Sequence, residues 1–229
     1  VAFVVGFKNN ASYDRLWEAR KAWGAIVNSS RFWGIMTKDY VTNKHAASPL
    51  SLTELKRIHQ QLVYRHLAWL AALRYQLREH RPWESMALVH NIEYREKTFR
   101  VPEHQIPLEE ELAKYLNPEE LQYVLGKKNK ATQIISLQSR QLQQLLDKGL
   151  VEDFRHIELM ELLSELYNQQ GVCERIKNFP YPRQFATLNL YFVRLFVLLV
   201  PFGMLQEFEK LGENFVWLSI PFSALVSWV

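Results

Sequence analysis

The residues with reactive chemistry to offer are scattered along the chain. The seven histidines do not cluster. His59, His66 and His156 fall inside helical patterns, and no carboxylate cluster joins them. Glu109, Glu110 and Glu111 form a run that suits a solvated helix start, where carboxylates meet the positive end of the helix dipole. The single cysteine, Cys173, excludes an internal disulfide and a cysteine-based metal cluster, and it reads as an inert thiol. There is no glycine-rich phosphate loop, no His-Glu-x-x-His pair and no dinucleotide fingerprint. The expectation is a protein that is not an enzyme, with no metal site and no cofactor.

Aromatic side chains offer a different chemistry. Phe3 and Phe7 stand four residues apart, on one face if the segment is helical. Contact with lipid or with another helix is the plain reading. An apolar constriction lining a pore, which gates by excluding water, is the sharper one. Phe179-Pro180-Tyr181-Pro182 reads in the same two ways. It is a kinked helix start, because proline disfavours helix at the residue before it. In a symmetric assembly it could also set an aromatic ring at the axis.

These groups need elements to hold them. The chain has 229 residues, 48% of them apolar and 13% aromatic, with eight glycines. Its net charge of +4 is mild. Basic clusters beside apolar ends suggest membrane flanks before they suggest nucleic acid, and no nucleic-acid partner is expected. The chain begins at Val1 and ends inside an apolar run, so it reads as a piece of a longer protein.

Residues 1–7 are uncharged and apolar, like the last turns of a membrane helix. Residues 8–34 continue at helical spacing through Tyr13, Leu16, Trp17, Gly24, Val27 and Phe32. The pattern breaks near 45–49. Ser51 and Glu54 then fit a capping box opening a helix over 52–79 that stops at Pro82. Residues 84–107 read as short helices and loop, and a short acidic helix starts at 107. Asn117 followed by Pro118 opens the next helix. A basic stretch at 127–130 leads to a helix over 131–148, closed by Gly149. Another helix covers 154–168, and the chain breaks at 179–182.

Composition then shifts. Residues 184–208 are long enough to cross a bilayer, which takes about 20 residues. Arg194 within them must face a neighbour, a polar cavity or an interface, because a charge in mid-span is costly. Residues 209–214 make a turn, and a second apolar span begins at Phe215. The cations Lys8, Arg15, Arg20, Lys21, Arg175, Lys177 and Arg183 flank the apolar ends on one side. Residues 206–214 carry Lys210 against three glutamates. The positive-inside rule then places residues 8–183 in the cytosol. A soluble helical protein with a buried apolar core is the competing reading, and a membrane anchor without a pore is another.

Three blocks carry a resemblance: GFKNNASYDRLWEARKAWGAIVNSSR at 6–31, HLAWLAALRYQLRE at 66–79 with RPWE after it, and ELYNQQGVCERIKNFPYPRQFATLN at 165–189. LLVPFGML and WLSIPFSALVSW follow in order. The chain resembles the bestrophins, and among them the bacterial bestrophin-like proteins. One departure is Leu16, where the family pattern has a second tryptophan beside Trp17.

The resemblance implies an all-α membrane protein, one subunit of a homopentameric ion channel with a large cytosolic helical region. On this alignment residues 1–7 end the second membrane helix and 8–183 form the cytosolic region. Residues 184–208 are the third membrane helix, and 215–229 begin the fourth. The partners implied are four further copies of the chain, the lipid bilayer and the permeating ions, in a bacterial inner membrane crossed several times. Phe3 and Phe7 map to two rings of the pore neck. Tyr181, with Phe179 beside it, maps to a cytosolic aperture that is usually small or aliphatic. Family members with phenylalanine at the neck conduct anions, and an aliphatic neck goes with cations in a bacterial relative. A chloride channel is therefore expected. A sodium-selective channel of the same fold and a membrane-tethered scaffold without conduction are the alternatives.

Overall fold

In the computed structural model, the described residues are 2–81, 89–98, 101–179, 183–210 and 212–228. They form helices and connecting turns, with no strand among them. The helices are α1 (Ala2–Tyr40), α2 (Leu52–Arg78), α3 (Val89–Thr98), α4 (Leu108–Leu112) and α5 (Pro118–Leu125). They continue with α6 (Lys130–Asp147), α7 (Asp153–Asn178), α8 (Arg183–Lys210) and α9 (Ser219–Trp228). The chain divides into two compact units, one of residues 18–178 and one of residues 1–17 with 179–229.

Local chemistry sets many helix ends. The Ser51 hydroxyl accepts from the Glu54 backbone N–H at 3.2 Å. The Glu54 carboxylate in return accepts from the Ser51 N–H at 2.8 Å, completing the capping box that starts α2. The Ser51 hydroxyl also donates to that carboxylate at 2.7 Å, and this bond, followed by the Ser51 N–H, holds the Glu54 carboxyl below its usual range. Asn117 caps α5 through the Glu120 N–H at 2.8 Å, and Asn129 caps α6 through the Thr132 N–H at 3.0 Å. Gly149 closes the α6–α7 corner with a φ of +68°. A Cβ there would stand 2.6 Å from the His45 carbonyl oxygen, so both the backbone angle and the space require glycine.

Three helices run differently from the sequence expectation. The face of α1 buried in the larger unit is Ala22, Ile26, Ser29, Trp33 and Met36, whereas Leu16, Trp17 and Phe32 are exposed. The helix has more than one apolar face, so periodicity alone did not choose between them. Helix α7 does not stop at residue 168. Leu166, Gln170 and Cys173 continue its buried face, and that burial carries the helix through Gly171, whose cost is about 1 kcal/mol. The last apolar segment is not one helix from Phe215. Residues Glu213–Leu218 wind as a 3₁₀ helix and α9 starts at Ser219. Pro221 has no N–H to donate and sits in the first turn of α9, where donors lack helical partners anyway.

The larger unit has an ordinary apolar interior in two clusters. One gathers Ile26, Trp69, Leu73, Leu112, Ile134 and Leu166. The other gathers Trp33, Leu62, Leu142, Leu150, Leu159 and Leu163. Helix α2 packs chiefly on α6, and α6 on α7. Polar ties cross this interior. The buried Arg65 guanidinium donates to Gln138 at 3.0 Å, to Gln141 and to Glu120, joining α2 to α5 and α6. Gln138 donates to the Leu62 carbonyl at 2.7 Å. Helices α1 and α7 run antiparallel, since Glu18 pairs with Arg175, Ser29 donates to Glu165 at 3.0 Å and Tyr40 donates to Glu158 at 2.6 Å.

The smaller unit is built the other way round. Its buried described residues are Ser219 and Ser223, while Leu188, Tyr191, Leu195, Leu198 and Phe202 are exposed along α8. Helix α8 packs on α9 and on the 3₁₀ segment between them, with Phe208 edge-to-face on Phe222 at 5.8 Å. Leucines outside and serines inside are the reverse of what water selects.

Candidate functional site

The smaller unit holds the residues that the family resemblance assigns to a pore. Helix α8 holds the apolar stretch Thr187–Lys210, within which an 18-residue window reaches a mean hydropathy of 1.9 with none of it buried. At 24 residues it exceeds the bilayer requirement of about 20. The apolar segment Phe215–Val226 is shorter. Arg194 is exposed on α8. Pro201 interrupts the helix ladder and frees the carbonyl of Val197.

Phe3 and Phe7 lie one turn apart on the backbone of α1. Their side chains lie outside what the structure describes, as does Tyr181 altogether. Phe179 follows the end of α7 and is 76% exposed. Tyr13 and Trp17 stack with ring centroids 6.4 Å apart, one turn from each other on α1.

The larger unit offers little that could do covalent chemistry. Among the described residues no three His, Cys, Asp or Glu side chains are placed to share a metal ion. Cys173 is buried, and burial followed by the Glu174 charge pushes its thiol upward, away from the reactive thiolate. His66 is buried between Trp33 and Trp69, with ring centroids 6.0 and 5.2 Å away. Desolvation drives its imidazole down to about 4, so it is neutral at physiological pH. His59 bonds the Val41 carbonyl at 2.8 Å and secures the turn after α1.

What the sequence did not single out is the outward side of α1 in this unit. Lys21, Gly24, Asn28 and Arg31 share it and are exposed. The signal was present in the buried residues at 22, 26, 29, 33 and 36, whose spacing fixes the opposite side. Beside that stripe, an open groove of about 410 Å³ has walls of Trp23, Leu67 and Tyr115, with Arg31, Arg74 and Glu111 at its rim.

The family profile described as bacterial/fungal bestrophin protein matches residues 1–229. The voltage-dependent anion channel-forming protein YneE of Escherichia coli is 28% identical over 207 residues, 90% of this chain and 56% of that protein. A voltage-dependent anion channel-forming protein of Ralstonia nicotianae is 29% identical over 208 residues, again 90% of this chain and 56% of the relative. The chain thus spans about half the length of these curated relatives. A crystal structure of a bacterial bestrophin homologue from Klebsiella pneumoniae superposes with a TM-score of 0.73 at 21% identity, covering 99% of this chain and 68% of that one. Another structure of that homologue gives 0.71 at 22% identity, covering 99% and 70%.

Proposed function

The chain belongs to the bacterial/fungal bestrophin family, and from that premise we propose that it is one subunit of a homopentameric, chloride-selective channel of the bacterial inner membrane. The family and the names of its relatives point to a membrane channel, not to an enzyme. One observation carries the reading further. The smaller unit turns its leucines and phenylalanines outward along a helix long enough to span a bilayer, and it buries serines. Such a surface is stable when lipid and neighbouring copies cover it.

In this reading residues 184–208 are a full span, 215–229 begin another, and 1–7 end a third. Residues 8–183 stand in the cytosol. Phe3 and Phe7 line the neck as two stacked rings around the axis. Aromatic side chains there exclude water when the rings close, and a dewetted constriction is a gate. The ring edges carry partial positive charge, so edges turned inward favour a partly dehydrated anion over a cation. Tyr181, with Phe179 beside it, forms the second narrowing at the cytosolic exit. Arg194 meets its partner across a subunit boundary, because a lone charge facing lipid costs at least about 2.5 kcal/mol. Conduction is passive, and it calls on no cofactor.

Two measurements on the full-length protein test this. Mass determination in detergent is expected to give five subunits per particle. Liposomes loaded with a chloride-sensitive dye are expected to admit chloride when the protein is present and to stay tight without it. A monomer with no flux would favour a tethered helical scaffold.

A further inference from the structure

The histidines are scattered in sequence, and folding brings two of them together. The rings of His80 and His104 lie with centroids 5.1 Å apart and planes tilted by 38°. Both residues are exposed. His80 leaves the end of α2 just after its cap, Glu79, whose N–H donates to the Tyr75 carbonyl at 3.1 Å. His104 closes the 3₁₀ turn Pro102–His104, and its N–H donates to the Val101 carbonyl at 3.1 Å.

Two cross-links hold these ends in place. Arg74 on α2 pairs with Glu103 at 3.3 Å, and the Tyr75 hydroxyl donates to the Ile106 carbonyl at 2.9 Å. They grip the chain on either side of His104, so both imidazoles are carried on fixed backbone. Arg81, the cation next to His80, faces Glu79 at 3.7 Å. Arg78 is exposed, and water screens its charge. The ring spacing is that of two ligands on one ion. A zinc–nitrogen bond of about 2 Å puts each ring centre about 3 Å from the metal, and a tetrahedral angle between the bonds then sets the centres about 5 Å apart. Each ring turns about its own metal–nitrogen bond, so the 38° tilt fits.

We propose that His80 and His104 form a two-histidine site for a divalent transition-metal ion such as zinc, with water in the remaining positions. Imidazole nitrogen suits zinc, copper and nickel, whereas magnesium and calcium take oxygen ligands. The ion joins the end of α2 to the turn that leads into α4. It binds the folded chain in preference to the unfolded one, in which nothing brings the two histidines together. Two protein ligands with open positions make an exchangeable site, unlike a closed four-ligand structural one. The site lies wholly within residues 18–178 and does not rest on the channel reading.

The test uses the full-length protein in detergent, freed of any histidine tag. Zinc chloride at about 0.1 mM is expected to raise the wild-type melting midpoint by a few degrees, because a ligand that binds only the folded state stabilises it. Magnesium and calcium at the same concentration are expected to leave the midpoint where it was. His80→Ala and His104→Ala are each expected to lose the zinc shift. Both side chains are exposed, so without metal the variants should melt as the wild type does. Isothermal titration gives a second readout that does not depend on melting, and each variant is expected to bind one zinc fewer per subunit than the wild type. If the wild type shows no zinc shift, or either variant keeps the wild-type shift and stoichiometry, the site is absent. An equal shift with magnesium would mark a general effect of divalent ions and overturn the assignment to imidazole.

Discussion

The indole N–H of Trp69 donates to the amide oxygen of Gln170 at 2.8 Å, with both side chains buried, and this bond ties α2 to α7. The same amide donates onward to the Thr132 hydroxyl at 2.9 Å and to the Glu174 carboxylate at 2.7 Å. Glu174 also accepts from Gln76 at 2.9 Å and Asn129 at 3.1 Å. One glutamine therefore satisfies polar groups from three helices. Gln170→Leu would leave the Trp69 N–H buried without an acceptor, at a cost of about 2 kcal/mol. A thermal melt in detergent should show a midpoint several degrees below wild type. An unchanged midpoint would mean that water or a rearranged neighbour replaces the bond.

His66 makes stability depend on pH. Its folded imidazole lies at about 4 because burial disfavours the charge, against 6.5 for the free group. Between those values the unfolded chain binds a proton that the folded chain refuses. Stability is therefore fully present above the unfolded value and is lost as pH falls through the window, by on the order of 3 kcal/mol in all. Midpoints measured from pH 7 down to 4.5 should fall for the wild type and fall less steeply for His66→Phe. Equal slopes would remove His66 as the cause.

Much of this architecture was legible because it depends on neighbours in sequence. The Ser51–Glu54 capping box, the Asn117 cap and the Gly149 stop are local devices, and each sits where its residue types announce it. The apolar character of α8 was also readable, since it is a property of composition. What was not readable depends on residues far apart. Trp33 and Trp69 enclose His66 only after α1 folds against α2, so the histidine's neutrality has no sequence signature. The choice among the faces of α1 was made by what packs on it. Continuation of α7 past Gly171 was likewise decided by tertiary burial of Cys173 and Gln170. The neck assignment of Phe3 and Phe7 comes from the family blocks, because two phenylalanines at helical spacing fit lipid contact as well.

Gly149 is the position where a single methyl group should do the most harm. Its φ of +68° disfavours any L side chain, and the added carbon would meet the His45 carbonyl at 2.6 Å. Gly149→Ala is expected to destabilise by more than about 1 kcal/mol. Gly24→Ala, where nothing stands within 4 Å of the added carbon, serves as the control and should be neutral or slightly stabilising. Equal melting points for the two variants would show that the corner relaxes freely.

The neck itself is tested by truncation. Phe3→Ala and Phe7→Ala should each widen the constriction and raise leak current through planar bilayers, with the double variant leaking most. Removing aromatic bulk from a dewetted ring lets water bridge it, and a wetted neck no longer closes. Wild-type currents in all three variants would take these two rings out of the gate.

Anion selectivity is read from one reversal potential. The full-length protein is reconstituted in a planar bilayer with a tenfold KCl gradient, and the zero-current voltage is read. A value close to the chloride equilibrium potential is expected. A value close to the potassium equilibrium potential would contradict it.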